Sequence, residues 1–175
     1  VSPASPTPVP TPIPPPVPRV EVVATGLETP WAVAFAPDGR ILVTERPGRL
    51  RVVLSGVAVP QPAALLPVAA TGEAGLLGLA LDPAFEKNHY LYLYYTYSDA
   101  GALRNRVVRL TESGGRGGEP LVLLEGIPGA AIHEGGRLRF GPDGRLYIAT
   151  GDATVPALAQ DRASLAGKVL RLNAD

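Results

Sequence analysis

Chemistry in this chain has few places to start. Only two of its 175 residues are histidines, His89 and His133. An imidazole held by a carboxylate has a fixed tautomer, a fixed orientation and raised basicity, which is what a general base needs. Asp152 is the candidate partner of His133. A two-residue turn at Pro142-Asp143 would pair Gly141 with Gly144, and that register carried back along the hairpin sets His133 opposite Asp152, provided no bulge intervenes. Gly135 and Gly136 follow the histidine and leave room for a flat ligand to approach the backbone. The same pair would serve equally as a structural hydrogen bond, so the residues alone leave both roles open. His89 is the contrast: it sits in the Glu86-Lys87-Asn88-His89-Tyr90 loop and reads as solvated. Two acids share the spacing of His133 from a downstream proline. Glu28 precedes Pro37 by nine residues, Glu73 precedes Pro83 by ten, and His133 precedes Pro142 by nine. Each acid can be a ligand contact or a rim charge.

Other chemistries find little footing. The chain has no P-loop, no Gly-x-Gly-x-x-Gly opening a helix and no Gly-x-Ser-x-Gly elbow. With no cysteine there are no thiolate metal sites, cysteine nucleophiles or disulfides. Two separated histidines do not make a typical zinc site without carboxylates, and Asp99, Asp143 and Asp161 do not form an EF-hand pattern. Sixteen basic residues balance sixteen acidic ones, which argues against nucleic acid or an anionic membrane as partner. No run of 18 apolar residues is present.

The elements that must position these residues are strands. Residues 1–18 hold nine of the 20 prolines and predict an extended polyproline-type spacer, a tether for the domain over 19–175 rather than a ligand for Pro-binding modules. From Arg19 onward, short apolar runs broken by Gly, Pro and Asp read as all-β. The segment from Ala34 through Pro37-Asp38-Gly39 to Val43 is repeated from Leu138 through Pro142-Asp143-Gly144 to Ile148. A looser copy runs from Leu79-Ala80-Leu81-Asp82-Pro83, through a longer loop, to Tyr90–Thr96. A whole hairpin recurring at spacings near that of one four-stranded blade predicts a β-propeller, with about three blades in this chain, in preference to a β-sandwich. Outer strands are expected at Leu50–Leu54, Arg106–Leu110 and Val122–Leu124. In a propeller, residues just before the first strand of a blade and just after the second gather at one mouth of the channel, which is how His133, Asp152, Glu73 and Glu28 come to share a face. Three blades alone leave open edges, and there is no methionine even at position 1, so the chain is expected to be a piece of a larger propeller without turnover of its own.

With those features in view, several segments in register resemble the soluble glucose/sorbosone dehydrogenase family, and within it the bacterial aldose sugar dehydrogenases. They are Thr29-Pro30-Trp31-Ala32-Val33-Ala34-Phe35, Thr44-Glu45-Arg46-Pro47-Gly48-Arg49-Leu50, Gly75-Leu76-Leu77-Gly78-Leu79-Ala80, Arg104-Asn105-Arg106-Val107-Val108-Arg109, His133-Glu134-Gly135-Gly136-Arg137-Leu138, Thr150-Gly151-Asp152 and Leu165-Ala166-Gly167-Lys168-Val169-Leu170-Arg171-Leu172. The resemblance implies a six-bladed propeller, of which this chain is the N-terminal half, with pyrroloquinoline quinone and calcium in the channel mouth. It implies that His133 takes the proton of the anomeric hydroxyl of an aldose, that a hydride passes to the quinone to give a lactone, that Asp152 supports His133, and that Glu73 contacts the quinone. Calcium would polarise the quinone carbonyl. Its ligands, and the arginines for the cofactor's carboxylates, are expected in later blades and fall on no residue here. Two departures stand out: Glu134, often neutral in relatives, would add charge near an anionic cofactor, and Ile132 replaces an acid found in some glucose-oxidising members. The resemblance further implies an external electron acceptor and an extracytoplasmic location, with membrane contact only through the tether. A propeller that binds glycan or protein without chemistry, or a calcium-dependent propeller lactonase, are the other functions open to this sequence.

Overall fold

The computed structural model describes residues 17–174, so the Pro-rich spacer expected over 1–18 lies outside the described residues except for Val17 and Pro18. Three antiparallel sheets stand side by side, in the order in which the chain makes them. The first joins β1 (Pro30–Phe35), β2 (Ile41–Glu45) and β3 (Arg49–Leu54), with the two-residue strands β4 (Val57–Ala58) and β5 (Ala64–Leu65) both on β3. The second joins β6 (Leu76–Leu81), β7 (Tyr90–Asp99), β8 (Ala102–Ser113) and β10 (Leu121–Pro128), with β9 (Arg116–Gly117) on the end of β8. The third is β11 (Gly135–Phe140), β12 (Leu146–Thr150) and β13 (Val169–Leu172). These are three blades of a β-propeller, and the inner strands β1, β6 and β11 contact one another in turn.

Alternation along the strands holds the blades together. In blade 2, Leu91, Leu93, Tyr95, Val108 and Leu110 face blade 1 and pack with Ala32, Leu42, Leu50 and Val52. Tyr92, Tyr94 and Val107 point the other way and pack with Leu138, Leu146 and Ile148 of blade 3. Strands buried on both faces read as continuous apolar runs, which is why Tyr90–Thr96 shows no polar alternation. Full burial of each such Leu or Ile contributes about 1.5–3 kcal/mol. The two apolar layers join where the inner strands meet, and Gly78 permits the approach: a Cβ there would stand 1.9 Å from the carbonyl oxygen of Gly136.

Each Pro-Asp-Gly segment forms the closed end of its hairpin. At the third, Gly141 N–H donates to Arg145 at 2.9 Å and Gly144 N–H donates back to Gly141 at 3.1 Å. The longer loop of the second copy contains a one-turn helix, α1 (Phe85–Asn88), and a second such turn, α2 (Ala157–Gln160), precedes β13. Four residues are too short for a 3.6-residue period to register, so neither is legible in the hydrophobic pattern. At the opposite ends, all three inner strands carry the same irregularity. The pairing slips by one residue between Pro30 and Ala32, between Leu76 and Leu79, and between Gly135 and Arg137. Each slip is a β-bulge on the mouth side.

Candidate active site

The bulged ends converge. Trp31 of β1, Leu77 of β6 and Gly135 of β11 line one concavity of about 230 Å³, together with Arg46, Glu73 and Glu134. His133, two residues before β11, is tied through its backbone N–H to Glu73 of that lining. Its backbone is left-handed, at φ 64°, a conformation uncommon for histidine and one that only a well-tied segment sustains. Gly136 at φ 103° makes the bulge, and a Cβ on it would meet the Tyr94 ring at 2.9 Å.

His133 Nδ1 lies 2.9 Å from Asp152 Oδ1, and the same oxygen accepts the Thr154 N–H at 3.0 Å. The hydrogen bond from His133 holds the Asp152 carboxyl below its usual range, with burial working weakly against it and the Thr154 N–H adding to it. An ionised carboxylate only accepts, so Nδ1 carries a hydrogen, and in the neutral ring the lone pair then lies on Nε2. The histidine side chain is 55% exposed and the aspartate 24%. The basic nitrogen is therefore open to a ligand while its support is half enclosed.

The sequence count that set these two residues opposite each other reached the contact by two departures that cancel. The turn pairs Gly141 with Arg145 rather than Gly144, one residue longer than assumed, and the bulge at Gly136 takes that residue back.

Glu73 belongs to the same cluster through the histidine segment itself. Its Oε2 accepts the His133 backbone N–H at 2.9 Å, and its own N–H donates to Ala131 at 2.6 Å. It splints the histidine segment and lines the concavity. Glu28 does not join the cluster. Its side chain is 64% exposed and pairs with Arg49, and its N–H caps the buried Glu45 carboxylate at 2.7 Å. His89 lies at the far end of blade 2, 52% exposed and 4.0 Å from Glu112. Ile132 is 44% exposed beside His133.

The expectation that Glu134 brings charge to the cofactor side is corrected. The residue is 2% exposed, and its carboxyl meets Thr96 of blade 2, because the left-handed backbone on either side, at His133 and Gly135, turns it inward. There Oε1 accepts the Ala130 N–H at 2.5 Å and Oε2 lies 3.3 Å from Thr96 Oγ1. Burial pushes this carboxyl up, more than the Ala130, Asn105 and Thr96 contacts pull it down, and the Glu73 charge pushes it the same way as burial.

Two residues at the concavity escaped the sequence reading. Arg46 donates from Nε to Ala74 at 3.1 Å and from Nη2 to Gly72, bracing the loop that presents Glu73. Trp31 carries the Arg137 guanidinium 4.7 Å from its ring centroid. The mouth rule that selects Asp152 after β12 also selects Arg46 after β2, so that signal was present. Trp31 gave none beyond its type. Among the described residues no group of three His, Cys, Asp or Glu side chains could hold a metal ion, and no helix is long and apolar enough to cross a membrane.

The geometry has counterparts. The family model for glucose/sorbosone dehydrogenases matches residues 27–175. The aldose sugar dehydrogenase YliI of Escherichia coli is 35% identical over 161 residues, which are 88% of this chain and 43% of that protein. The quinone-bound (PQQ-bound) form of an aldose sugar dehydrogenase from Streptomyces coelicolor superposes with a TM-score of 0.80 at 39% identity, over 88% of this chain and 47% of that one. A Thermus thermophilus protein assigned as a glucose dehydrogenase gives a TM-score of 0.83 at 52% identity, over 89% and 47%. The chain thus spans about half the length of these relatives or less.

Proposed function

Since the chain belongs to the glucose/sorbosone dehydrogenase family, we propose that the protein carrying it oxidises the anomeric C–OH of an aldose to the lactone, with pyrroloquinoline quinone as hydride acceptor and His133 as the base. The observation that supports this most is the 2.9 Å bond from His133 Nδ1 to Asp152, which in the neutral ring puts the lone pair on Nε2 of an exposed side chain next in sequence to the residues lining the concavity. Nε2 takes the hydroxyl proton while the hydride leaves the same carbon, so the sugar loses two electrons and two hydrogens in one event. Asp152 stabilises the imidazolium that forms and keeps the ring in the one tautomer that can accept. Glu73 fixes the backbone from which the imidazole projects.

The residues around the concavity fit one flank of a flat, anionic ring. Trp31 and the bare backbone of Gly135 offer planar walls, Arg46 offers a cation, and Glu73 an acceptor. When bound, the quinone supplies the two-electron sink, and calcium would polarise its carbonyl as a Lewis acid. Holders for that ion, and further cations for the quinone carboxylates, belong to residues beyond these three blades. An external acceptor then reoxidises the cofactor. A location outside the cytoplasm, with the Pro-rich spacer as tether, fits both the family and the composition of 1–18.

The test supplies the full-length protein with calcium, the quinone and glucose, and follows reduction of a dye acceptor. Dye reduction that disappears in His133→Ala is the expected result. Sugar binding without dye reduction in the parent protein would instead make it a glycan-binding propeller, and calcium-dependent opening of a lactone would make it a hydrolase.

A further inference from the structure

Glu134 is a buried carboxyl at this mouth, 2% exposed, and the reaction as outlined does not use it. Its surroundings fix where hydrogens lie. Asn105 Nδ2 faces the Pro128 carbonyl at 3.2 Å, which can only accept, so Asn105 Oδ1 faces Thr96. Thr96 has one hydroxyl hydrogen, and at 2.7 Å it goes to Asn105 Oδ1. Glu134 Oε2 lies 3.3 Å from Thr96 Oγ1 and accepts from Asn105, whose Nδ2 has a second hydrogen besides the one facing Pro128. The carboxyl, the hydroxyl and the amide form one buried cluster, while Glu134 Oε1 closes back on Ala130 N–H. The titratable and charged groups around it are Glu73 on the loop before β6, Tyr94 on β7, Arg46 after β2, and His133 beside it; none is a cation paired with its carboxyl.

The turn so closed, Ala130 to Glu134, is the one that presents His133. Glu73 ties it from one side through Ala131 and the His133 N–H. The Tyr94 hydroxyl ties it from blade 2, donating to the Glu134 carbonyl at 2.9 Å. Only the Glu134 side chain spans the turn from end to end. We propose that Glu134 is a positioning residue for His133: through its side-chain hydrogen bonds it clamps the Ala130–Glu134 turn to blade 2, and so holds the left-handed histidine with its imidazole on Asp152.

The catalytic readout of this clamp rests on the dehydrogenase reading above; the magnetic one does not. In the full-length holoprotein, Glu134→Gln keeps a donor and an acceptor in place of the acid, and Glu134→Ala removes both. The proton NMR signal of His133 Nδ1–H, recorded without sugar, should persist in Glu134→Gln and be lost in Glu134→Ala. With sugar and dye, kcat should fall roughly ten- to a hundredfold in Glu134→Ala with KM little changed, and stay within about threefold in Glu134→Gln. Should Glu134→Ala not fold, Thr96→Val removes the hydroxyl that the acid meets and should broaden the same signal. A histidine signal and a kcat indifferent to Glu134→Ala, or to Thr96→Val in its place, would overturn the clamp. So would a Gln variant as impaired as the Ala one, since a charge would then be what matters. A parent protein that reduces no dye, yet loses the histidine signal in Glu134→Ala, would sink the dehydrogenase reading and leave the clamp standing.

Discussion

The two ends of the blade 3 hairpin are made from the same strands and behave oppositely. At the closed end, Asp143 accepts the Arg145 N–H at 3.1 Å, the Tyr147 hydroxyl at 3.1 Å and the Arg171 guanidinium at 2.9 Å, so a turn built from Pro, Asp and Gly satisfies itself locally. At the open end, His133, Gly135, Gly136, Ala153 and Thr154 all have positive φ, and an uncharged-favouring carboxyl is packed beneath them. Ties to other blades hold that end, through Glu73, Tyr94 and Thr96. Local chemistry makes the first end and tertiary contacts enforce the second, which is where a reactive side chain can be held in a posture it would not choose.

The comparison breaks most visibly at His133. His133→Ala should lower turnover by about 10²–10⁴-fold while the melting temperature falls only slightly, since Ala keeps the Cβ that strains the left-handed backbone and loses one exposed hydrogen bond. Gly151→Ala acts on the support. A Cβ there would stand 1.6 Å from the His133 carbonyl oxygen, so the segment must shift, at a cost of about 1–3 kcal/mol in unfolding free energy and with loss of the Asp152 contact as seen by NMR.

At the closed ends the same kind of damage should touch stability alone. Arg40 reaches from the first Pro-Asp-Gly turn to Glu112 of blade 2 with paired bonds at 3.1 and 3.0 Å. Arg40→Ala strands a carboxylate that is 4% exposed and should cost about 2 kcal/mol by denaturant titration with dye reduction intact. The Arg40 hydrogen bonds hold Glu112 below its ordinary value. That contribution is complete above the usual glutamate range and is lost as pH falls through the lowered value, so the variant should show a shallower acid-side decline.

Glu134 runs the other way. With its folded value raised, the protein is favoured below the usual glutamate range and loses that advantage as pH rises through the raised value. Glu134→Gln should therefore gain melting temperature on the parent as pH increases across that window. Asp143→Ala, at a partly exposed turn, should lower the melting temperature less than Arg40→Ala and leave turnover unchanged.

Those contrasts also explain how much could be read beforehand. The two Pro-Asp-Gly turns and the looser Asp82-Pro83 copy are local chemistry, so they gave away three hairpins, the blade spacing and the end at which His133 would lie. The contact to Asp152 was reachable by counting because the longer turn and the Gly136 bulge offset each other, not because either was visible. The inward aim of Glu134 was not readable, since Thr96 and Asn105, which receive it, lie 38 and 29 positions away in the chain and meet it only after blades 2 and 3 pack. Arg46 obeys a rule already in hand and was legible in principle. The route by which Glu73 reaches the histidine segment, through a backbone N–H, follows from no residue type.

The shared slip at the start of all three inner strands has an engineering corollary. One inserted residue per blade sets which side chains look into the channel, independently of the turns that set blade length. Removing Gly136 would therefore swap the outlook of every residue upstream of it in β11's approach, exchanging the imidazole for the carboxyl behind it, while the rest of the hairpin kept its pairing. A rim whose occupants can be exchanged by single-residue deletions is a natural starting point for recasting the same scaffold around a different ligand.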